Sequence, residues 1–347
     1  MMTTPRWSPP NVGWFQPVIE SRRSTPSATL VRPASCFYDP LPAAERGKEG
    51  FNGAKQIMKV AVTGSTGQLG TDVVEVFRKA AGVEVVPLSH EQIEIGDLAS
   101  VRAALTAAAP QAVINSAAFH QVDKCEEDPE QAFRINALGA WNVARVCNEL
   151  GAYCVYISTD YVFDGAKAAP YDEADAPMPL SIYGASKLAG EYLTRSACPK
   201  AIVARIASVF GKSGARGKGG NFIEAILKKA KAGEPLKVVN DTPMTPTYTM
   251  DAASALLDLV RRQPTGILHV TNQPACTWYD FAKKAVDLCG LKVEVAPVTS
   301  DAFPSKVRRP TYSALSGKRL ADAIGRPMRP WTEALRAYLV EKGHLST

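Results

Sequence analysis

From Ile57 onward the chain alternates short apolar runs with longer stretches whose apolar residues recur at helical spacing. The first run (Ile57, Met58, Val60, Ala61, Val62) predicts a strand, and a helix from Leu69 to Ala80 follows. The same logic predicts strands over Val83–Pro87, Ala112–Asn115, Tyr153–Ile157 and Ala201–Arg205. Between them it predicts helices over Leu98–Ala109, capped by Asp97, over Pro129–Leu150 with proline in the first turn, and over Tyr183–Arg195. Continuous rather than alternating apolar strands, each followed by a helix, indicate a parallel sheet covered on both faces. The expected fold class is therefore α/β: a Rossmann-type, doubly wound parallel sheet with a smaller C-terminal α/β lobe for a substrate. Beyond Ile182 the order loosens into shorter elements punctuated by prolines and a Gly- and Lys-rich loop, Gly211–Gly220. Residues 1–57 are rich in proline, serine, threonine and arginine without apolar periodicity, and a disordered leader is expected there.

The first strand breaks into Thr63-Gly64-Ser65-Thr66-Gly67-Gln68-Leu69-Gly70. Glycines at these intervals let backbone N–H groups approach a pyrophosphate, the opening helix adds its positive end, and Gly70 permits close helix-on-strand packing. Composition narrows the partners. A net charge of +6 over 347 residues is mild and unclustered, which gives nucleic-acid binding no support. No apolar run reaches the roughly 18 residues of a membrane helix. Seven cysteines without a Cys-x-x-Cys pair and four scattered histidines suit a reducing cytoplasm and offer no metal site.

The chemistry is carried by Tyr183-Gly184-Ala185-Ser186-Lys187, which lies 24 residues after Thr159. Positions four apart share a helix face, so a phenol and an ammonium can enter one cleft. A nearby cation stabilises phenolate and moves the phenol toward a useful proton donor or acceptor, while Thr159 can bond the same substrate oxygen.

Together with Asn115-Ser116-Ala117-Ala118, Val122-Asp123-Lys124-Cys125-Glu126, Ser158-Thr159-Asp160-Tyr161-Val162-Phe163, Gly220-Asn221-Phe222, Thr277-Trp278-Tyr279-Asp280 and Arg308-Arg309-Pro310, these segments resemble the dTDP-4-dehydrorhamnose reductase family of the extended short-chain dehydrogenase/reductases. The resemblance runs from Met58 to about Leu345. It implies an NADPH- or NADH-dependent reductase of a nucleotide-linked 4-keto-6-deoxy sugar, with Tyr183 as proton donor, Lys187 tuning it and holding the nicotinamide ribose, and Thr159 on the substrate oxygen. It further implies cofactor contacts at Gly64, Thr66, Gly67, Gln68, Leu69, Asp97, Leu98, Ala117 and Ala118, and substrate contacts at Asp160, Phe163, Asn221 and Arg309. Asn136 would steady a water in a proton relay. On this view residues 58–180 form the NAD(P)-binding domain, and 181–347 complete it while interleaving with the substrate lobe.

Some positions depart from the family pattern. Ser208 stands where rhamnose-forming members carry a tryptophan, and Asp241-Thr242-Pro243-Met244-Thr245-Pro246-Thr247 replaces the usual Asp-Gln-x-Gly-x-Pro-Thr. The segment Pro87-Leu88-Ser89-His90 offers neither an acid for a ribose diol nor an arginine for a 2′-phosphate, so NADPH and NADH remain open. Two alternatives stand beside the reductase: an epimerase or dehydratase of the same superfamily, and a non-catalytic regulatory subunit. A homodimer is compatible with the sequence, which carries no signal for oligomeric state.

Overall fold

The computed structural model describes residues 57–214 and 221–346. The expected leader and the 215–220 part of the basic loop lie outside the described residues. Six strands form the main sheet: β1 (Met58–Thr63), β2 (Val83–Leu88), β3 (Ala112–Asn115), β4 (Tyr153–Thr159), β5 (Ala201–Ile206) and β6 (Gly266–His269). Their order is β6-β5-β4-β3-β1-β2 and every neighbouring pair is parallel. The strand order reverses between β1 and β3, which opens a crevice at their carboxyl ends, where doubly wound sheets bind ligands.

Both faces of the sheet are buried, and β1 shows why its run is unbroken. Val60 and Val62 pack with Val73 and Phe77 of α1 (Gln68–Lys79) on one face. Ala61, between them, packs with Val101 and Leu105 of α2 (Leu98–Ala108) on the other. The smaller lobe has its own core, in which Phe210, Ile223, Tyr248, Phe281, Trp331 and Tyr338 meet. Two-stranded pieces support it: Val209–Phe210 with Thr247–Tyr248, Pro243–Met244 with Cys276–Thr277, and Leu236–Val239 with Val295–Val298. Because β6 comes from residues 266–269, the chain leaves the main sheet for this lobe, returns, and leaves again.

The stretch expected as one helix over Pro129–Leu150 is a composite. A helix over Pro129–Phe133 passes into a π turn, Arg134–Gly139, before α-helix resumes at Ala140–Leu150. A wide turn of this kind re-aims the side chains it carries. Here it turns Asn136 inward, and Gly139 lets the turn approach Ile95, whose Cδ1 would lie 2.9 Å from a Cβ at that position.

Beneath the carboxyl ends of β4 and β5 lies a buried ion pair. Arg205 on β5 donates Nε to Glu191 Oε1 at 2.8 Å and a terminal nitrogen to Oε2 at 2.6 Å, while Ser158 on β4 donates to Oε1 at 2.5 Å. Glu191 belongs to the Ile182–Ala197 helix, so this carboxylate joins that helix to two strands. A buried pair adds little net stability, but breaking it leaves a stranded charge. Arg205→Met should therefore cost about 3–5 kcal/mol in urea unfolding, and the double substitution Glu191→Met with Arg205→Met should recover most of that loss. Equal losses in the single and double variants would show that the pair is not what the single change disturbs.

Candidate active site

A cleft of about 760 Å³ opens at the carboxyl ends of β1, β3, β4 and β5, within the size range of small-molecule sites. One wall is the glycine turn. Gly64 has φ +66°, and a Cβ there would stand 2.7 Å from the Ala117 backbone nitrogen, so the ends of β1 and β3 can meet only without a side chain. A Cβ on Gly70 would fall 2.2 Å from the Gly64 carbonyl. Gly67 differs: it faces the cleft, and a Cβ would meet only the Gly64 oxygen, at 3.2 Å. As the N-cap of α1 it supplies no side-chain acceptor, leaving the first-turn N–H groups for an anion. Thr66, Gln68, Leu69, Ala117 and Ala118 line the same wall.

The opposite wall belongs to β4 and the Ile182–Ala197 helix. Ser181 caps that helix by accepting from Gly184 N at 3.1 Å, and a Cβ on Gly184 would come within 2.2 Å of the Tyr161 carbonyl. The Tyr-Gly pair thus seats the start of the helix directly against the end of β4. Thr159, Tyr183 and Lys187 converge there, with Thr159 as hydrogen-bond partner of the Tyr183 phenol. Loss of water in the cleft, opposed only by that bond, pushes the phenol well above its ordinary value, and the nearby Asp160 and Tyr161 push the same way. The Lys187 ammonium rests against β4. It donates to the Ile157 carbonyl at 2.6 Å and lies 4.1 Å from the Tyr156 ring centroid.

Asn136 holds the third side of the site. Its carboxamide accepts from Phe119 N at 2.9 Å and donates to Phe119 O at 2.9 Å and Ser186 Oγ at 3.0 Å. All three bonds go to protein groups, and those to Phe119 fix the Ser116–His120 loop that edges the cleft. Asp160 is buried; burial raises its carboxyl to about 6, with hydrogen bonds from Ser313 and Thr159 opposing the shift.

Five other expected site residues lie apart from that trio. Phe163 is a core residue outside the cleft lining, fully buried, stacked on Tyr171 at 4.1 Å and covered by the Arg205 guanidinium at 5.0 Å. Asp97 lies outside the cleft lining and accepts from Ala99 N as the cap of α2, while Leu98 packs on the core behind it. Asn221 lines the cleft, yet its carboxamide is engaged with Glu224 N, Gly211 O and the Tyr338 hydroxyl. Arg309 is exposed and lines the outer wall. Phe222, Trp278 and Ser208 also line the cleft without having been singled out as contacts, and Ser208 does so with φ +43°. The Thr277–Asp280 capping box that launches the Trp278 helix was the available signal for that wall. Among the described residues no group of three or more His, Cys, Asp or Glu could hold a metal, the six cysteines are free, and no helix is long and apolar enough to cross a membrane.

Comparison with known proteins accords with this geometry. The RmlD substrate binding domain family matches residues 58–343. The chain belongs to that family. The spore coat polysaccharide biosynthesis protein SpsK of Bacillus subtilis (strain 168) is 42% identical over 284 residues, covering 82% of this chain and 98% of that protein. A solved dTDP-4-dehydrorhamnose reductase from Clostridium acetobutylicum ATCC 824 superposes with a TM-score of 0.77 at 36% identity, covering 82% of this chain and 100% of that one. The Bacillus anthracis str. Ames dTDP-4-dehydrorhamnose reductase in complex with NADP gives 0.76 at 33%, covering 82% and 99%.

Burial depresses the Lys187 ammonium to about 7, with Glu191 and Cys125 opposing the shift. The unfolded lysine keeps its proton to about 10.4, so between these values the unfolded chain binds more protons and this group makes stability rise with pH. The stability difference between Lys187→Met and wild type should accordingly move in favour of wild type from about pH 7 to about pH 10, read from urea midpoints across that range. A pH-independent difference would place the ammonium in contact with water.

Proposed function

We propose that this chain is an NAD(P)H-dependent reductase that converts the 4-keto group of a nucleotide-linked 4-keto-6-deoxy sugar, of the dTDP-4-dehydrorhamnose kind, to the alcohol. The observation that carries this reading is the convergence of Thr159, Tyr183 and Lys187 on the cleft opposite the glycine turn. The open N-cap at Gly67 and the absence of any Cβ at Gly64 and Gly70 fit a dinucleotide pyrophosphate, which those residues with Thr66, Gln68 and Leu69 would hold. When bound, the reduced nicotinamide supplies the hydride.

The protein's share is a proton and a place for charge. A phenol held above its ordinary value keeps its proton in the resting site, which is the form that reduction of a carbonyl requires. Tyr183 delivers that proton to the substrate oxygen as negative charge develops on it, and the Thr159 hydroxyl, which donates to the Asp160 carboxylate at 3.0 Å, would turn from that carboxylate to donate to the same oxygen. Lys187, one helical turn on, would hold the ribose of the cofactor. Arg309 on the outer wall offers a guanidinium fork to the diphosphate of the sugar nucleotide. A purely regulatory module would have no need of this trio. Ser208 leaves the sugar side of the cleft without the tryptophan of rhamnose-forming members, which makes the sugar itself the quantity to measure.

The direct test is turnover of dTDP-4-keto-6-deoxy-L-mannose with NADPH and NADH in parallel; no turnover with either would sink the assignment. Tyr183→Phe keeps the ring and removes the acid, so kcat should fall by about 10² to 10⁴ with little change in KM or in cofactor affinity. Retained turnover would move the proton donor to Asp160 or Tyr161. Gly67→Val should weaken NADPH binding at least about tenfold in a fluorescence titration while costing only about 1–3 kcal/mol of stability, since a Cβ there would press on the Gly64 oxygen alone, at 3.2 Å, but would stand in the way of the pyrophosphate. Unaltered binding would reduce the turn to a structural device.

A further inference from the structure

Tyr156 lies in the middle of β4, in a strand buried on both faces where an aliphatic side chain would satisfy the core. Its hydroxyl donates to the Asn136 carbonyl in the π turn at 2.8 Å and approaches the Lys187 carbonyl at 3.4 Å. Its ring lies 4.1 Å beneath the Lys187 ammonium. Gly190 makes this possible, because a Cβ there would stand 2.3 Å from both the Tyr156 hydroxyl and the Asn136 carbonyl.

We propose that Tyr156 is a positioning residue for the reaction, its ring serving as the seat of the Lys187 ammonium while its hydroxyl locks the catalytic helix to the π turn that carries Asn136. The proposal rests on the reading of Lys187 given above. An ammonium has three donors, and the structure provides this one with a single carbonyl acceptor, that of Ile157. The negative face of an aromatic ring supplies stabilisation that a saturated side chain of equal size lacks, and it does so most strongly where water is excluded. The other groups that face Lys187 are poor substitutes. Glu191, on its own helix, is already shared between Arg205 and Ser158. Cys125, from the Val122–Glu127 helix, is held neutral because burial pushes its thiol up to about 12. Tyr183 and Tyr156 are both neutral phenols, raised by burial.

The test is a titration of the full chain by NMR of ε-¹³C lysine, with the Lys187 signal assigned by its loss in Lys187→Met. Tyr156→Phe keeps the ring and should leave the midpoint of Lys187 near wild type while lowering Tm through the lost hydroxyl bond. Tyr156→Leu, and Tyr156→Phe bearing one to three ring fluorines, weaken or remove the π face and should lower the midpoint stepwise, by about one pH unit at the extreme. The fluorinated series keeps the shape of the ring, so it remains informative if the leucine variant does not fold. A midpoint unmoved across that series overturns the proposal. A midpoint that falls while KM for the cofactor stays constant across pH supports the seat and refutes the cofactor-side role of Lys187.

Discussion

A lysine placed out of reach of water is the constraint around which this site is built. An ammonium in a protein interior loses its hydration and keeps its charge only if nearby dipoles and π faces replace water. The end of β4 provides these, through the Ile157 carbonyl and the Tyr156 ring. One turn further along the helix, Glu191 supplies an opposing charge that is itself held by Arg205 and Ser158. The strand, the helix and β5 are thus joined through charge as well as through packing. The position of Lys187 cannot shift without disturbing all three.

Close approach of backbones is the second requirement, and it explains three of the glycines. Gly184 lets the helix start against the Tyr161 carbonyl, and Gly190 lets its next turns meet Tyr156 and Asn136. On the other side of the cleft Gly64 brings the ends of β1 and β3 together. Each contact shortens the distance between elements that bear site residues. Asn136 completes the frame, since its carboxamide grips both backbone groups of Phe119 and the Ser186 hydroxyl.

Much of this was legible in the chain. The apolar runs marked the main strands, the glycine spacing marked the turn, and Tyr183 with Lys187 marked the helix face, because these features depend on local periodicity and backbone sterics. What escaped was set by tertiary contact. The π turn inside Pro129–Leu150 is invisible to a 3.6-residue pattern, since a single widened turn leaves the apolar stripe nearly unchanged. Phe163 lies in a segment that reads as a site motif, yet its ring is claimed by Tyr171, across the intervening loop, and by Arg205 on another strand. The seat of Lys187 was equally out of view: spacing places two side chains on one face, but the carbonyl and ring below decide where the ammonium rests. Ser208 at φ +43° marks a bend in the cleft wall that no residue-type rule would predict, serine being an uncommon occupant of that conformation.

A hydrogen bond from Ser313 to Asp160 ties the outer wall of the cleft to the end of β4. Asp160, directly after Thr159, is bonded by Ser313, whose own N–H donates to the Pro243 carbonyl at 2.9 Å. Ser313 follows shortly after Arg309, so the outer wall is tied to the very end of β4. A sugar nucleotide gripped at its diphosphate by that wall would then present its ring to Thr159 and Tyr183 at a separation fixed by a buried bond, with little left to loop motion. Such fixing matters because misplacement of a reacting carbonyl by about 1 Å can cost two orders of magnitude in rate. Burial lifts the Asp160 carboxyl to about 6, so the bond that spaces the two walls involves a group that changes charge near neutrality. The frame that aligns the substrate is therefore tightest where Asp160 is ionised and accepts from both Ser313 and Thr159, and it loosens on the acid side of that value as one acceptor is lost.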